Sequence, residues 1–448
     1  MKQTSVHHAK SARYEIPVDY YIMFGICVLF VVVAFFTSTP QEILSGYIRI
    51  HTSRSVLVTD YVELAGLGAA LVNSAVLVFF NLLLLIMHKR NPDGKIIAAL
   101  FLTIGFSLFG KNMFNTLPIM AGVWLYGKVS NIKFSTLVVH AMICTTIAPI
   151  VSEIAFLGDG QSSVYRIVMA YGTGIFVGFI FPVVAEYVKR MHSNFCLYNG
   201  GIAGGFIATM FAGIFRSIGM EIVPEAYWAT SQEVTTQLTI LACSIAVALI
   251  VYGIVTNKPS VSFSKFKEIQ GENNPDDSDY FAKYGSSCYK NIGIMCILSI
   301  AVMHFLNVLP MIDEPIPING PILGGIFTIS GFAAFGKNLR NTIPVLIGSI
   351  IAVLLNHLES TAPVNILAIL FSTGLAPIAG KYGWHWGIAT GFLHVSIAVF
   401  IGDINGGLNL YNNGFAGSFV AVLILPVIEF FRTLYEKTKT RVSGRNLK

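Results

Sequence analysis

The hydrophobic residues of this chain fall into long continuous runs separated by short polar stretches. A membrane-spanning helix takes about 20 apolar residues, and a run of about 10 to 14 is typical of a half-helix. We interpret as spanning helices the runs at 20–37, 63–87, 134–150, 164–187, 197–215, 238–255, 291–309, 364–379, 386–401 and 408–431. Shorter runs, interpreted as re-entrant or broken half-helices, lie at 96–109, 115–126, 322–335 and 341–355. The pattern predicts an all-α polytopic membrane protein.

The composition supports this prediction and narrows the function. The chain is 54% hydrophobic and 12% charged, whereas soluble domains carry about 25% charged residues. A large soluble enzyme is therefore not expected. The six cysteines form no C-x-x-C pair, so we expect neither a disulfide framework nor a metal site. No run interleaves basic and aromatic residues, so the expected surroundings are the lipid bilayer and not a nucleic acid.

One motif occurs twice inside apolar sequence. Residues 105–122 read GFSLFGKNMFNTLPIMAG and residues 331–348 read GFAAFGKNLRNTIPVLIG, with ten of 18 positions identical. A second pair, LYNGGIAGGFIA at 197–208 and LYNNGFAGSFVA at 410–421, is identical at eight of 12 positions. Both pairs occur in the same order, so we infer an internal duplication. Such repeats are typical of transporters and channels.

The duplication predicts how the chain is divided. The predicted segments are a cytoplasmic N-terminus, extra membrane helix and external loop at 1–60, a first membrane repeat at 61–216, a linking membrane helix and solvated cytoplasmic connector at 217–290, a second repeat at 291–432, and a basic cytoplasmic tail at 433–448.

The placement of charge predicts the orientation. If the N-terminus lies in the cytoplasm, most of the 29 lysine and arginine residues fall in cytoplasmic segments, as the positive-inside rule requires. The C-terminus then also lies inside. The helix at Tyr61 runs inward and its counterpart at Asn291 runs outward. The repeats are thus predicted to be inverted, with the solute path between them near mid-depth.

The first motif combines helix-interrupting residues with hydrogen-bonding ones. Pro118 and Pro344 each remove a backbone donor, and Thr116 and Thr342 are expected to cap a short helix that follows. The side-chain amides of the motif are Asn112, Asn115, Asn338 and Asn341. They either line a polar pore as two symmetric turns or simply hold the interrupted backbone in place. We favour pore lining because the arrangement occurs twice.

Lys111 and Lys337 are cations within apolar sequence, where a charge is costly and indicates function by default. Related by a twofold axis, the pair would attract a small anion. Alternatively, each lysine reaches an interface or neutralises the carbonyl groups at a helix end. Arg340 replaces Phe114 in the second copy, so the two copies are not equivalent.

The second motif supplies two further candidate site residues. Asn199 and Asn412 open helices rich in small residues, and a buried amide needs hydrogen-bond partners. The glycines that follow them are better explained by close helix packing.

The whole chain resembles an uncharacterised bacterial family of polytopic membrane proteins and, more distantly, the urea transporters. The sequences at 109–125 (FGKNMFNTLPIMAGVWL), from Phe335 onward, at 197–204 and at 410–417 are similar to the paired motifs of those channels. The resemblance implies a passive small-solute channel, forming a trimer or dimer in a bacterial inner membrane. It also implies Phe109 and Phe335 as slot-lining aromatics, with Asn112 and Asn338 beside them. Lys111 and Lys337 have no counterpart in the urea-transporter pattern.

We therefore expect a membrane channel or facilitative transporter for a small polar solute, either a urea-like amide or a small anion. The alternative is a proton- or sodium-coupled secondary transporter of a small organic solute. A membrane scaffold is a third class, which the paired polar interruptions argue against. No catalytic residue set or cofactor motif is evident, so an enzyme is not expected.

Overall fold

A computed structural model describes residues 14–56, 58–156, 163–191, 193–220, 227–309, 312, 314–355 and 362–445. Within these residues the first half of the chain forms α1 (Val18–Thr37), α2 (Pro40–Thr52), α3 (Tyr61–Ala65), α4 (Leu67–Met87), α5 (Gly94–Phe106), α6 (Met113–Val129), α7 (Phe134–Cys144), α8 (Pro149–Phe156), α9 (Val164–Lys189) and α10 (Asn199–Ser217). The second half forms α11 (Gln232–Val255), α12 (Pro259–Gly271), α13 (Tyr280–Tyr284), α14 (Cys288–Leu306), α15 (Gly320–Gly331), α16 (Leu339–Leu355), α17 (Pro363–Phe371), α18 (Ala376–Tyr382), α19 (Trp384–Ile404) and α20 (Asn412–Arg445).

These helices confirm an all-α, multi-pass membrane architecture. Among the described residues, eight helical segments are long and apolar enough to cross a membrane, or nine if the bent pair α7–α8 is one span. α5, α15 and α16 are shorter apolar helices, as the hydropathy pattern predicts. Strand pairing in the described residues is limited to isolated bridges.

The two halves correspond helix by helix over the described residues. α1 packs on α4 as α11 packs on α14, and α6 packs on α9 as α16 packs on α19. The correspondence extends beyond the repeat boundaries expected at residues 61 and 291. The membrane helix α1 has a counterpart in α11, and the amphipathic helix α2 has one in α12.

The polar stretch between the halves, predicted to be a solvated connector, has many exposed residues but also a packed face. It folds into α12 and α13, whose residues Ile269, Tyr280, Phe281 and Tyr284 are buried in the main hydrophobic core. Charged residues surround these few apolar positions in the sequence, so the hydropathy of the stretch hides its packed face.

Two helix pairs join the halves: α10 with α20, and the antiparallel pair α5 with α15. Gly105, near the end of α5, faces Gly324 in the first turns of α15, and a Cβ on Gly105 would lie 2.7 Å from the carbonyl oxygen of Gly324. At the other end of the pair, Gly331 packs against Ala98 and Phe101. Both helices are buried at nearly every position, so each half supplies part of the centre of the molecule.

Candidate functional site

Each copy of the first motif folds into the same turn at the end of a short buried helix. The turn needs a left-handed residue, supplied by Gly110 (φ 81°) and Gly336 (φ 90°). Asn112 then caps α6. Its side-chain oxygen accepts a hydrogen bond from the backbone N–H of Asn115 at 3.0 Å. In return, the backbone N–H of Asn112 donates to the side-chain oxygen of Asn115 at 2.9 Å. The second half repeats these two bonds between Asn338 and Asn341.

Capping by asparagine overturns two expectations about the motif. α6 and α16 begin before their prolines, so Pro118 and Pro344 lie inside helices and do not interrupt them. Thr116 is not a cap, because its hydroxyl donates to the Asn112 carbonyl at 2.8 Å. Thr342 instead hydrogen-bonds the Asn341 side chain at 3.2 Å. The asparagine caps place each helix start before its proline, so each helix lacks one backbone N–H in its interior.

The four motif amides form their hydrogen bonds within the protein. Asn112 donates to the Ile50 carbonyl at 2.9 Å and to the Tyr61 hydroxyl at 3.2 Å. Asn338 donates in the same way to the carbonyl of Ile269, at 2.9 Å. Asn115 and Asn341 each donate at 2.9 Å to the carbonyl of the turn glycine, Gly110 and Gly336 respectively. These bonds hold the turns in place, and the lining of a solute path by the amides stays a prediction.

Two further asparagines hold the turns from the neighbouring helix. Asn73 of α4 donates to the carbonyls of Ser107 (2.7 Å) and Lys111 (2.8 Å). Asn291 of α14 donates to the carbonyls of Ala333 and Lys337, both at 2.9 Å. The sequence signal for this pair is a buried asparagine in a mostly apolar helix of each repeat, although α4 contains a second one, Asn81.

A pair of aspartates ties each half to the other. Asp279, which precedes α13, accepts a hydrogen bond at 2.9 Å from the backbone N–H of Gly94, the first residue of α5. Asp60, which precedes α3, accepts from the backbone N–H of Gly320, the first residue of α15. Each carboxylate therefore lies at the positive end of a helix in the opposite half. The dipeptide Asp-Tyr occurs at 60–61 and 279–280 and marks both sites in the sequence.

The second motif brings two tyrosines to the centre of the molecule. The rings of Tyr198 and Tyr411 lie 4.7 Å apart, and a Cβ on Gly201 would clash with the backbone of Gly414 where α10 and α20 begin. The residues before these tyrosines, Leu197 and Leu410, cover the turn glycines of the opposite half. The first motif of each half therefore packs against the second motif of the other half. The four segments together form one site.

The two motif lysines are both buried at this site, but their contacts differ. Lys337 donates hydrogen bonds to the hydroxyls of Tyr198 and Thr373, the latter at 2.7 Å, and its Nζ lies 4.5 Å from the centre of the Tyr198 ring. Lys111 Nζ lies 5.3 Å from the centre of the Phe106 ring and has no hydrogen-bond partner among the described residues. Neither lysine extends to an exposed surface.

The remaining predicted site residues lie around this centre. Phe109 is fully buried, with its ring 5.1 Å from that of Phe106, whereas Phe335 is partly exposed and lies 5.4 Å from Lys95 Nζ. The side-chain oxygen of Asn199 has no partner in the described part of the chain, and that of Asn412 accepts a 2.6 Å hydrogen bond from Asn405. The two asparagines, like the two phenylalanines, therefore have unlike surroundings.

Comparison with known proteins gives a family but no function. No curated protein matches the chain, and no solved structure matches it. One family model matches residues 39–217 and 258–430, which together make up more than half of the sequence. Both regions contain a copy of each repeated motif. The chain belongs to the uncharacterised family described as Protein of unknown function (DUF1576).

Proposed function

We propose that this protein is a channel or facilitative transporter that carries a small polar solute across a membrane between its two halves. The observation that carries the proposal is the buried site at the centre, where both halves bring cations and hydroxyl groups together. Placing a charge in such surroundings is costly, and the cost is typically accepted where a polar solute or ion must pass. A scaffold has no need of this arrangement.

The proposal includes inverted repeats. The antiparallel packing of α5 on α15, and the exchange of Asp60 and Asp279 between the halves, support a pseudo-twofold axis in the membrane plane. In folds of this kind the site lies at the repeat interface. We place both termini in the cytoplasm and the protein in a bacterial inner membrane, as a homotrimer or homodimer, on the charge pattern and the resemblance to urea transporters.

The solute is a urea-like amide or a small anion, because the buried groups are hydrogen-bond donors and cations. The site residues bind and orient the solute, and we assign no catalytic role to any of them.

A proton-coupled transporter is the second candidate. His394 favours it: Nε2 lies 3.1 Å from the Asn413 side-chain oxygen, while buried Nδ1 has no partner among the described residues.

A flux assay tests both candidates. Purified protein in liposomes is presented with labelled urea, formate, nitrite, nitrate and bicarbonate, with and without an imposed proton or sodium gradient. A facilitator equilibrates at least one solute faster than protein-free liposomes and does so without a gradient. Uptake that requires the gradient favours the coupled transporter. Equal rates with and without protein, for all solutes, contradict both.

A further inference from the structure

The two halves use the same motif lysine differently. The Lys337 ammonium has hydroxyl partners in Tyr198 and Thr373. The Lys111 side chain is only 1% exposed, yet its ammonium has neither a hydrogen bond nor a salt bridge to any described residue. A buried charge without partners is strongly unfavourable. The first half therefore presents a buried lysine amine without partners where the second half has a satisfied one.

Two buried hydroxyl groups of the same site are also without partners. The hydroxyls of Tyr411 and Thr146 are buried, and neither forms a hydrogen bond within the described residues. The ring centre of Tyr411 and the Nζ of Lys111 lie 5.4 Å and 5.3 Å from the centre of the same Phe106 ring. Thr146 is held beside Tyr411, because its carbonyl accepts a 2.9 Å hydrogen bond from the backbone N–H of Leu410.

One residue that differs between the two sites packs against the tyrosine. Gly374 takes the place of Thr146 in the second half, where its carbonyl accepts the same bond from Leu197 at 2.9 Å. A Cβ on Gly374 would lie 2.5 Å from the Tyr198 ring. Glycine therefore allows Tyr198 to pack close to the chain and reach Lys337. In the first half this position carries the Thr146 side chain, and the Tyr411 hydroxyl forms no hydrogen bond with Lys111.

We propose that Lys111, Tyr411 and Thr146 bind one compact monovalent anion, of the size of a halide, formate, nitrite or nitrate. All three groups can donate hydrogen bonds, and a single negative charge balances the ammonium. A divalent anion would leave a net buried charge. The inference deepens the proposed function by naming the solute class, and it rests on that proposal only for the step from binding to transport.

Anion-dependent thermal unfolding of the full chain in detergent tests the inference. Nitrate, formate or bromide is titrated in place of gluconate, so that the ionic strength stays constant. Gluconate is much bulkier than the proposed ligands. Urea serves as the uncharged control solute. A bound ligand raises the unfolding temperature with a concentration dependence that gives its apparent affinity. We expect at least a tenfold weaker affinity for Lys111→Met. Thr146→Gly, which removes one of the three donors, should weaken binding as well. Lys128→Met is the matched control, because Lys128 is exposed over Trp124.

The outcomes separate the inference from the proposed function. Wild-type protein that responds to none of the anions overturns the inference, and so does an unchanged response in both Lys111→Met and Thr146→Gly. Transport of urea without anion binding overturns the inference but leaves the facilitator intact. Anion binding without any flux supports the site and contradicts the facilitator.

Discussion

Lys337 donates a hydrogen bond to the hydroxyl of Tyr198, so the cation of one half is partnered by the second motif of the other. The counterpart contact between Lys111 and Tyr411 is absent from the described structure, since both polar groups are without partners. The two lysines occupy the same F-G-K-N sequence, but only Lys337 has hydrogen-bond partners for its side chain.

Substituting these two lysines should have opposite effects on stability. Lys337→Met removes the donor to the Tyr198 and Thr373 hydroxyls, which keep only their 3.4 Å contact with each other. Loss of a hydrogen bond to a charged group costs about 1.5–3 kcal/mol. Lys111→Met removes an unpartnered cation, so its free energy of unfolding should equal or exceed that of the wild type in the absence of anions. Unfolding in detergent, in gluconate buffer, measures both. Equal destabilisation by the two substitutions would contradict the asymmetry.

The asparagine caps should be essential for the motif turns. Asn112→Ala removes the acceptor for the backbone of Asn115, and loss of such a cap costs about 0.5–2 kcal/mol. Asn112→Ser keeps a capping oxygen and should recover part of this loss. The same series at Asn338 should give similar values. The comparison is made by denaturant unfolding, and a serine variant no more stable than the alanine variant would refute the capping role.

The contact of α6 with α9 should be intolerant of added volume. A Cβ on Gly122 would meet the carbonyl oxygen of Ile175, and overpacking of this kind typically costs about 1–3 kcal/mol. Gly172 also lies on α9, but a Cβ on this residue would face open space. Gly172→Ala should therefore leave stability unchanged or raise it by about 0.5–1 kcal/mol, as expected for alanine in a helix. Thermal unfolding of Gly122→Ala and Gly172→Ala distinguishes these outcomes.

The carboxylate that joins the halves gives a prediction about their association. Asp279→Ala removes the acceptor for the N–H groups of Gly94 and Ala282. We expect faster proteolysis in the segment around α13, because its tie to α5 is lost. Asp279→Asn keeps one side-chain oxygen and should be less sensitive. Identical cleavage rates for wild type and the alanine variant would show that the bond does not hold the halves together.

Much of the helix order follows from the sequence, but the chemistry of the site follows only in part. Long apolar runs predict most of the membrane helices, and the repeated motifs identify Lys111 and Lys337. The buried face of α12 and α13 is hidden because only a few apolar residues, such as Ile269 and Tyr280, carry it. The capping role of Asn112, which puts the start of α6 before Pro118, is not evident from the hydropathy pattern. The difference between the lysines lies in contacts with Tyr198, Thr373 and Tyr411, which are distant in sequence from both.

The most direct measurement is the entry rate of nitrate or formate into liposomes that contain the wild-type protein, the Lys111→Met variant or no protein. A facilitator whose solute binds at Lys111 should accelerate entry at least tenfold over protein-free liposomes, and the variant should fall close to the protein-free rate. A wild-type rate equal to that of protein-free liposomes, or a variant as fast as the wild type, would contradict transport through this site.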